Sequence, residues 1–101
     1  KVVLEEDATK AREAARKVAL IYQPLPNYRN NWKRMGLTDE DIDSLNDKFI
    51  DTTFAWGSSS KINERIKEHF DAGADHVCIQ PVNPNGDMTA LHWECLEALS
   101  P

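Results

Sequence analysis

Gly57-Ser58-Ser59 is the stretch of this 101-residue chain best suited to chemistry on an anion. A glycine followed by serines reads as a helix start, and backbone N–H groups at a helix start attract phosphate. The same residues have an explanation without ligand: Gly57 ends one element and Ser58 or Ser59 caps the next. A second cluster, Tyr28-Arg29-Asn30-Asn31-Trp32-Lys33-Arg34, mixes aromatic, amide and cationic groups. Such side chains can cover a ligand or read base edges. A short amphipathic helix, packed through Tyr28 and Trp32 with its polar face in water, accounts for them equally. His69, His76 and His92 fall at no metal-ligand spacing, and Cys78 and Cys95 lie too far apart for a Cys-x-x-Cys signature. Both cysteines read as buried thiols rather than a disulfide. With no Ser-His-Asp arrangement, phosphate loop or cysteine-nucleophile motif, no catalytic or metal-ligating residue is assigned.

Composition narrows the partners. Twelve Lys and Arg against 17 Asp and Glu leave a net charge of −5, which disfavours a nucleic-acid or acidic-membrane footprint. Leu, Ile, Val and Phe number 22, just above the roughly 20% below which charged chains stay disordered, so a single domain with a thin core is expected. The longest apolar run, Val18 to Tyr22, is far short of the roughly 20 residues that cross a bilayer. With no signal-peptide pattern, the reading is a soluble cytoplasmic protein. Lys1 is neither an initiator Met nor a residue small enough to follow Met removal, so an upstream segment is expected.

The elements that must position these residues follow from periodicity. Val2-Val3-Leu4 reads as the end of a strand. Asp7 caps a helix whose Ala11, Ala15, Val18 and Tyr22 share a face until Pro24 stops it. Asn27 caps a short helix carrying Tyr28, Trp32 and Met35, closed by Gly36. Thr38 and Asp41 form a capping box, after which Ile42, Leu45, Phe49, Thr53 and Trp56 continue at helical spacing to Gly57, with Ser44 and Asn46 dividing the run. A helix over 58–72 carries Ile62, Ile66 and Phe70 and ends at Gly73. Val77-Cys78-Ile79-Gln80 reads as a buried strand within 77–82. Pro84-Asn85-Gly86 is a turn, and Asp87 caps a final helix over 88–99 bearing Met88, Leu91, Cys95 and Leu99.

Helix, Gly73, apolar strand, turn and helix are the grammar of a parallel α/β protein. Two short parallel strands leave edges and a face uncovered. The expectation is therefore a mostly helical piece of a larger α/β protein, completed by another copy of itself or by an N-terminal part.

Four segments carry a resemblance: Ala11-Arg12-Glu13-Ala14-Ala15-Arg16, Leu25-Pro26-Asn27-Tyr28-Arg29-Asn30-Asn31, Ala55-Trp56-Gly57, and Asp71-Ala72-Gly73-Ala74-Asp75-His76-Val77. Over nearly its whole length the chain resembles the C-terminal part of luciferase-like monooxygenases, in particular the branch using coenzyme F420. The resemblance implies the C-terminal fragment of a TIM (β/α)8 barrel, one partial domain over 1–101. It would hold strand seven at 1–4, a helical insertion at 8–56, a helix at 58–72, strand eight at 77–82 and a last helix at 88–99. It also implies F420 or FMN in the mouth at the strands' C-terminal ends, held partly by Gly57, Ser58, Ser59 and Gln80. Tyr28, Arg29, Asn31 and Trp32 would belong to a substrate lid, and His76 would lie at the opposite end. Relatives often open the 58–72 helix with Gly-Thr-Pro-Glu-Glu, whereas here Lys61 brings a positive charge to that start. The family's proton-transfer groups lie on earlier strands, so the chain alone is expected to hold no cofactor and to turn over no substrate. A different class, a small helical self-associating or DNA-binding module, rests on Tyr28 to Arg34, and the net charge and the two prolines ahead of that helix argue against DNA.

Overall fold

The computed structural model describes all residues from Lys1 to Pro101. Asp7 caps α1 (Ala8–Tyr22), its carboxylate accepting from the Lys10 N–H at 3.1 Å. The face α1 turns inward is almost all alanine: Ala11, Ala14, Ala15 and Ala19 are buried. Small side chains let the helix lie close to the sheet, and the Gln23 amide ties its end to the Ile42 and Asp43 carbonyls. Pro26, pre-set for the first helical turn, opens α2 (Pro26–Arg34). Trp32 is buried against Phe49 edge-to-face, with ring centroids 4.8 Å apart.

The expected capping box is present at the start of α3 (Asp39–Ser44). Asp41 accepts from the Thr38 N–H at 3.0 Å, and its own N–H donates to the Thr38 hydroxyl at 3.1 Å. The Asp41 carboxylate also accepts from Asn46 Nδ2 at 2.7 Å, and Asn46 caps α4 (Asp47–Thr53) through the Phe49 N–H. One buried carboxylate thus fixes the start of α3 and orients the cap of α4. Leu45, at φ 47°, makes the left-handed break between them, and Arg16 Nε–H holds its carbonyl at 2.8 Å.

The helical run ends before Trp56. Phe54 is already extended, and Ala55–Gly57 form strand β2, paired in parallel with β1 (Val2–Leu4). This corrects the expected insertion over 8–56, whose last residues belong to the sheet. The expected strand at 77–82 is also corrected. Only a bridge between Val2 and Pro81 forms, supported by Val2 N–H to the Gln80 carbonyl (3.0 Å) and Val82 N–H to the Val2 carbonyl (2.7 Å). Pro81 has no N–H to extend the ladder, and the Cys78 side chain is exposed rather than buried. α5 (Ser59–Asp71) matches the expected helix within a residue at each end. α6 spans only Trp93–Ala98, because Asp87 accepts from the Thr89 N–H and hydroxyl in a local turn instead of opening a helix at Met88.

β1 lies between β2 and the 80–82 segment, and its alternation sorts the helices into two layers. Val3, with Val82 and Trp56, packs on the face covered by α1, Trp32, Phe49 and Ile50. Val2 and Leu4, with Ala55 and Ile79, pack on the other face against Ile62 and Ile66 of α5 and Cys95 of α6. The result is an α/β domain, mostly helical, around a short parallel sheet. Helices cover both faces of this sheet, and β2 lies on the side of β1 away from the 80–82 segment. No helix is long and apolar enough to cross a membrane.

Candidate functional site

Because the strands are parallel, their C-terminal ends open on one side. Gly57 pairs with Leu4, and the Val2–Pro81 bridge places Asn83 level with the same residue. Gly57 and Asn83 therefore stand at one height, two strand spacings or about 10 Å apart. At this end α5 begins. Ser58, not Ser59, is the cap: its hydroxyl accepts from the Lys61 N–H at 3.2 Å. The N–H groups of Ser59 and Ser60 precede any intrahelical acceptor.

Lys61 folds back over this start. Its ammonium lies 3.9 Å from the Trp56 ring centroid, and a Cβ placed at Gly57 would come within 2.7 Å of its Cδ. At φ +127°, Gly57 holds a conformation that L side chains rarely adopt, so its glycine identity is required twice. On the other side Arg12 packs over Trp56 at 5.1 Å and forms a two-pronged pair with Asp51, Nε–H to Oδ1 at 3.1 Å and Nη2–H to Oδ2 at 2.7 Å. Trp56 Nε1–H donates to the same carboxylate at 2.8 Å. The Arg12 hydrogen bond is the main reason the Asp51 carboxyl sits below the usual carboxylate range. This cluster of Arg12, Asp51, Trp56 and Lys61 lies beside the anion-attracting helix start. Sequence reasoning missed it because the partners come from α1, α4, β2 and α5, and no local spacing links them.

The expected site residues do not converge. Gln80 is level with Lys1, three residues below Gly57 and hence about 10 Å from the strands' upper end. It lines a groove of about 200 Å³ with Ala14, Val18, Ile21 and Met88, away from Gly57, Ser58 and Ser59. The expected lid residues separate too. Arg29 is spent on Asp39 at 3.1 Å and Asp43 at 2.8 Å, while Trp32 is core. Tyr28 packs at a tilt between Tyr22 (4.6 Å) and Trp32 (6.0 Å), and Asn31 rests its amide on the Met35 sulfur. Tyr28, Asn31 and Trp32 face a cleft of about 520 Å³ that also takes in Lys1 and His76, at the strands' N-terminal ends. His76 therefore lies opposite the strands' C-terminal ends, as expected.

No three His, Cys, Asp or Glu side chains are grouped to hold a metal ion. Both cysteines are free, Cys78 exposed and Cys95 buried, and burial pushes the Cys95 thiol up. Compared with known proteins, the chain matches no family model, no curated protein and no solved structure.

Proposed function

We propose that this chain is the C-terminal segment of a luciferase-like oxidoreductase using coenzyme F420 or FMN, and that it is not catalytic on its own. The observation that carries the reading is the common height of Leu4, Gly57 and Asn83 at one end of parallel strands, with the start of α5 beside them. Ligands of parallel α/β proteins bind at that end. The residues there fit a phosphate: two N–H groups without intrahelical acceptors, at Ser59 and Ser60, and the Lys61 ammonium nearby. Gln80 does not fit, since it lies about 10 Å lower. The cofactor would supply hydride chemistry, and this segment would hold one end of it. The remainder of a barrel, or a second copy of the chain, would cover exposed Leu20, Ile21, Met88, Leu91 and Trp93. A cytoplasmic setting belongs to the same reading.

The test is F420 fluorescence titration of two proteins, this chain and this chain joined to whatever its reading frame encodes upstream. Saturable binding at about 10 μM or tighter by the longer protein, with none by the chain, is expected. A stop codon directly upstream, or tight stoichiometric binding by the 101 residues alone, overturns the reading.

A further inference from the structure

A cleft lies at the end of the sheet opposite the proposed cofactor region, between α2, the end of α4, α5 and the 74–79 segment. Its volume of about 520 Å³ is within the usual size of small-molecule sites. Its chemistry is one-sided. Lys1, Arg65, His69 and His76 line it, and none of its 20 lining residues is Asp or Glu, although the chain carries 17 acidic residues and a net charge of −5. An acid-free wall in an acidic protein makes a local field that favours anions.

The remaining wall is aromatic. Tyr22, Tyr28 and Trp32 follow one another with rings tilted by 45° and 51°, the Lys1 ammonium lies 4.5 Å from the Tyr22 ring centroid, and neither tyrosine hydroxyl nor Trp32 Nε1–H makes a hydrogen bond within the chain. Arg65 is held in place across the cleft. Its guanidinium donates to the Thr52 carbonyl at 2.8 Å and the Asp51 carbonyl at 3.4 Å, and Nε faces Glu68 at 3.6 Å. Two of its five N–H donors are left without a partner. His69 Nδ1–H donates to the Arg65 carbonyl at 3.0 Å, which leaves Nε2 of the neutral ring as an acceptor and gives the anion to Arg65 alone.

We propose that this cleft binds a small planar aromatic carboxylate, the ring set among Tyr22, Tyr28 and Ile66 and the carboxylate meeting the free N–H groups of Arg65. Burial of an aromatic ring among apolar and aromatic side chains and a charge-assisted hydrogen bond are the two interactions the lining offers together. The proposal uses no residue of the phosphate site in the F420 reading, which lies at the other end of the sheet.

Calorimetric titration of the full chain with 2-naphthoate, 2-naphthamide and 2-naphthylmethylamine tests it. Naphthoate should bind one-to-one with a Kd below about 1 mM, the amide about fivefold more weakly, and the amine more weakly still. Tyr28→Ala, at a partly exposed position, should weaken naphthoate about fivefold with an unchanged circular dichroism spectrum. Arg65→Gln, checked by the same spectrum, should cost affinity for naphthoate but not for the amide. No saturable binding, equal affinity for acid and amine, or indifference to Tyr28→Ala overturns the proposal. So does a dimer that Tyr28→Ala dissociates, which would give the cleft to a second copy.

Discussion

Replacing Asp51 by Asn asks how much of this small domain hangs on one carboxylate. Asp51 joins α1 through Arg12 and β2 through Trp56, while its backbone carbonyl meets Arg65 of α5. Asn keeps an oxygen for the indole N–H but turns an amide N–H toward the guanidinium. The side chain of Asp51 is 42% exposed, which limits the ion pair to about 1 kcal/mol. A donor facing a donor costs about another 1 kcal/mol. The loss should be about 2 kcal/mol, and Asp51→Ala, which also strips the acceptor from Trp56, should lose about 3 kcal/mol. At ~4–8 °C per kcal/mol for a domain of this length, Asp51→Asn should melt about 8–16 °C lower. Urea unfolding should show a lower midpoint with an unchanged slope. Combined with Arg12→Gln, the loss should fall short of the summed single losses by about 1 kcal/mol. The folded-state pKa of Asp51 is lowered, chiefly by Arg12, so its contribution is full above the unfolded value of about 3.9 and fades as pH falls through the lower folded value. The gap between parent and Asp51→Asn should therefore close in acid. A loss under about 0.5 kcal/mol, or a gap that persists in strong acid, would refute this account of the cluster.

Asp41, held down to about 2 chiefly by the Thr38 N–H, stabilises the ionised folded form; its contribution should be lost as pH falls from about 4 through 2, and Asp41→Ala should flatten that part of a stability-versus-pH curve. Ser58→Ala should cost about 1 kcal/mol in chemical denaturation, whereas Ser59→Ala, one residue past the cap, should stay within about 0.5 kcal/mol. In the native protein a thiol reagent should modify exposed Cys78 at once and reach buried Cys95 only on unfolding, so a single fast phase of two thiols would contradict the packing of α6.

What the sequence disclosed is what neighbouring residues decide among themselves. Asp7, the Thr38–Asp41 box and Gly36 or Gly73 after a periodic run fix helix ends within a few residues, and α1, α2, α3 and α5 follow. β2 was hidden because Thr53 and Trp56 continue the helical spacing, while the reason for extension at Ala55 is Val2, far away in sequence. The 77–80 stretch has strand composition without a second neighbour to bond, so it stays irregular and exposes Cys78. Helix 88–99 lost its first half to the Asp87–Thr89 turn, a competition that an N-cap rule alone cannot decide. At the candidate site, Gly57 and Ser58 were legible as a helix start. The failure of Gln80 to join them was not, since it depends on the register set by the Val2–Pro81 bridge. The Arg12–Asp51–Trp56 cluster had no sequence signal at all.

The middle position of β1 also sets an order of assembly. Val2 is bonded to segments near residues 55 and 81, so each side of the sheet forms only after a long loop has closed. Loop closure is an entropic debt incurred before any ladder bond repays it, and contacts this distant in sequence are slow to form. The contacts among α1, α2, α3 and α4 span shorter loops and include the Asp41–Asn46 relay and the Trp32–Phe49 pair. Folding is therefore expected to begin with such local contacts, those of β1 with α1 and of β2 with α5 included, and the pairing of β1 with β2 and with the 80–82 segment is the late step.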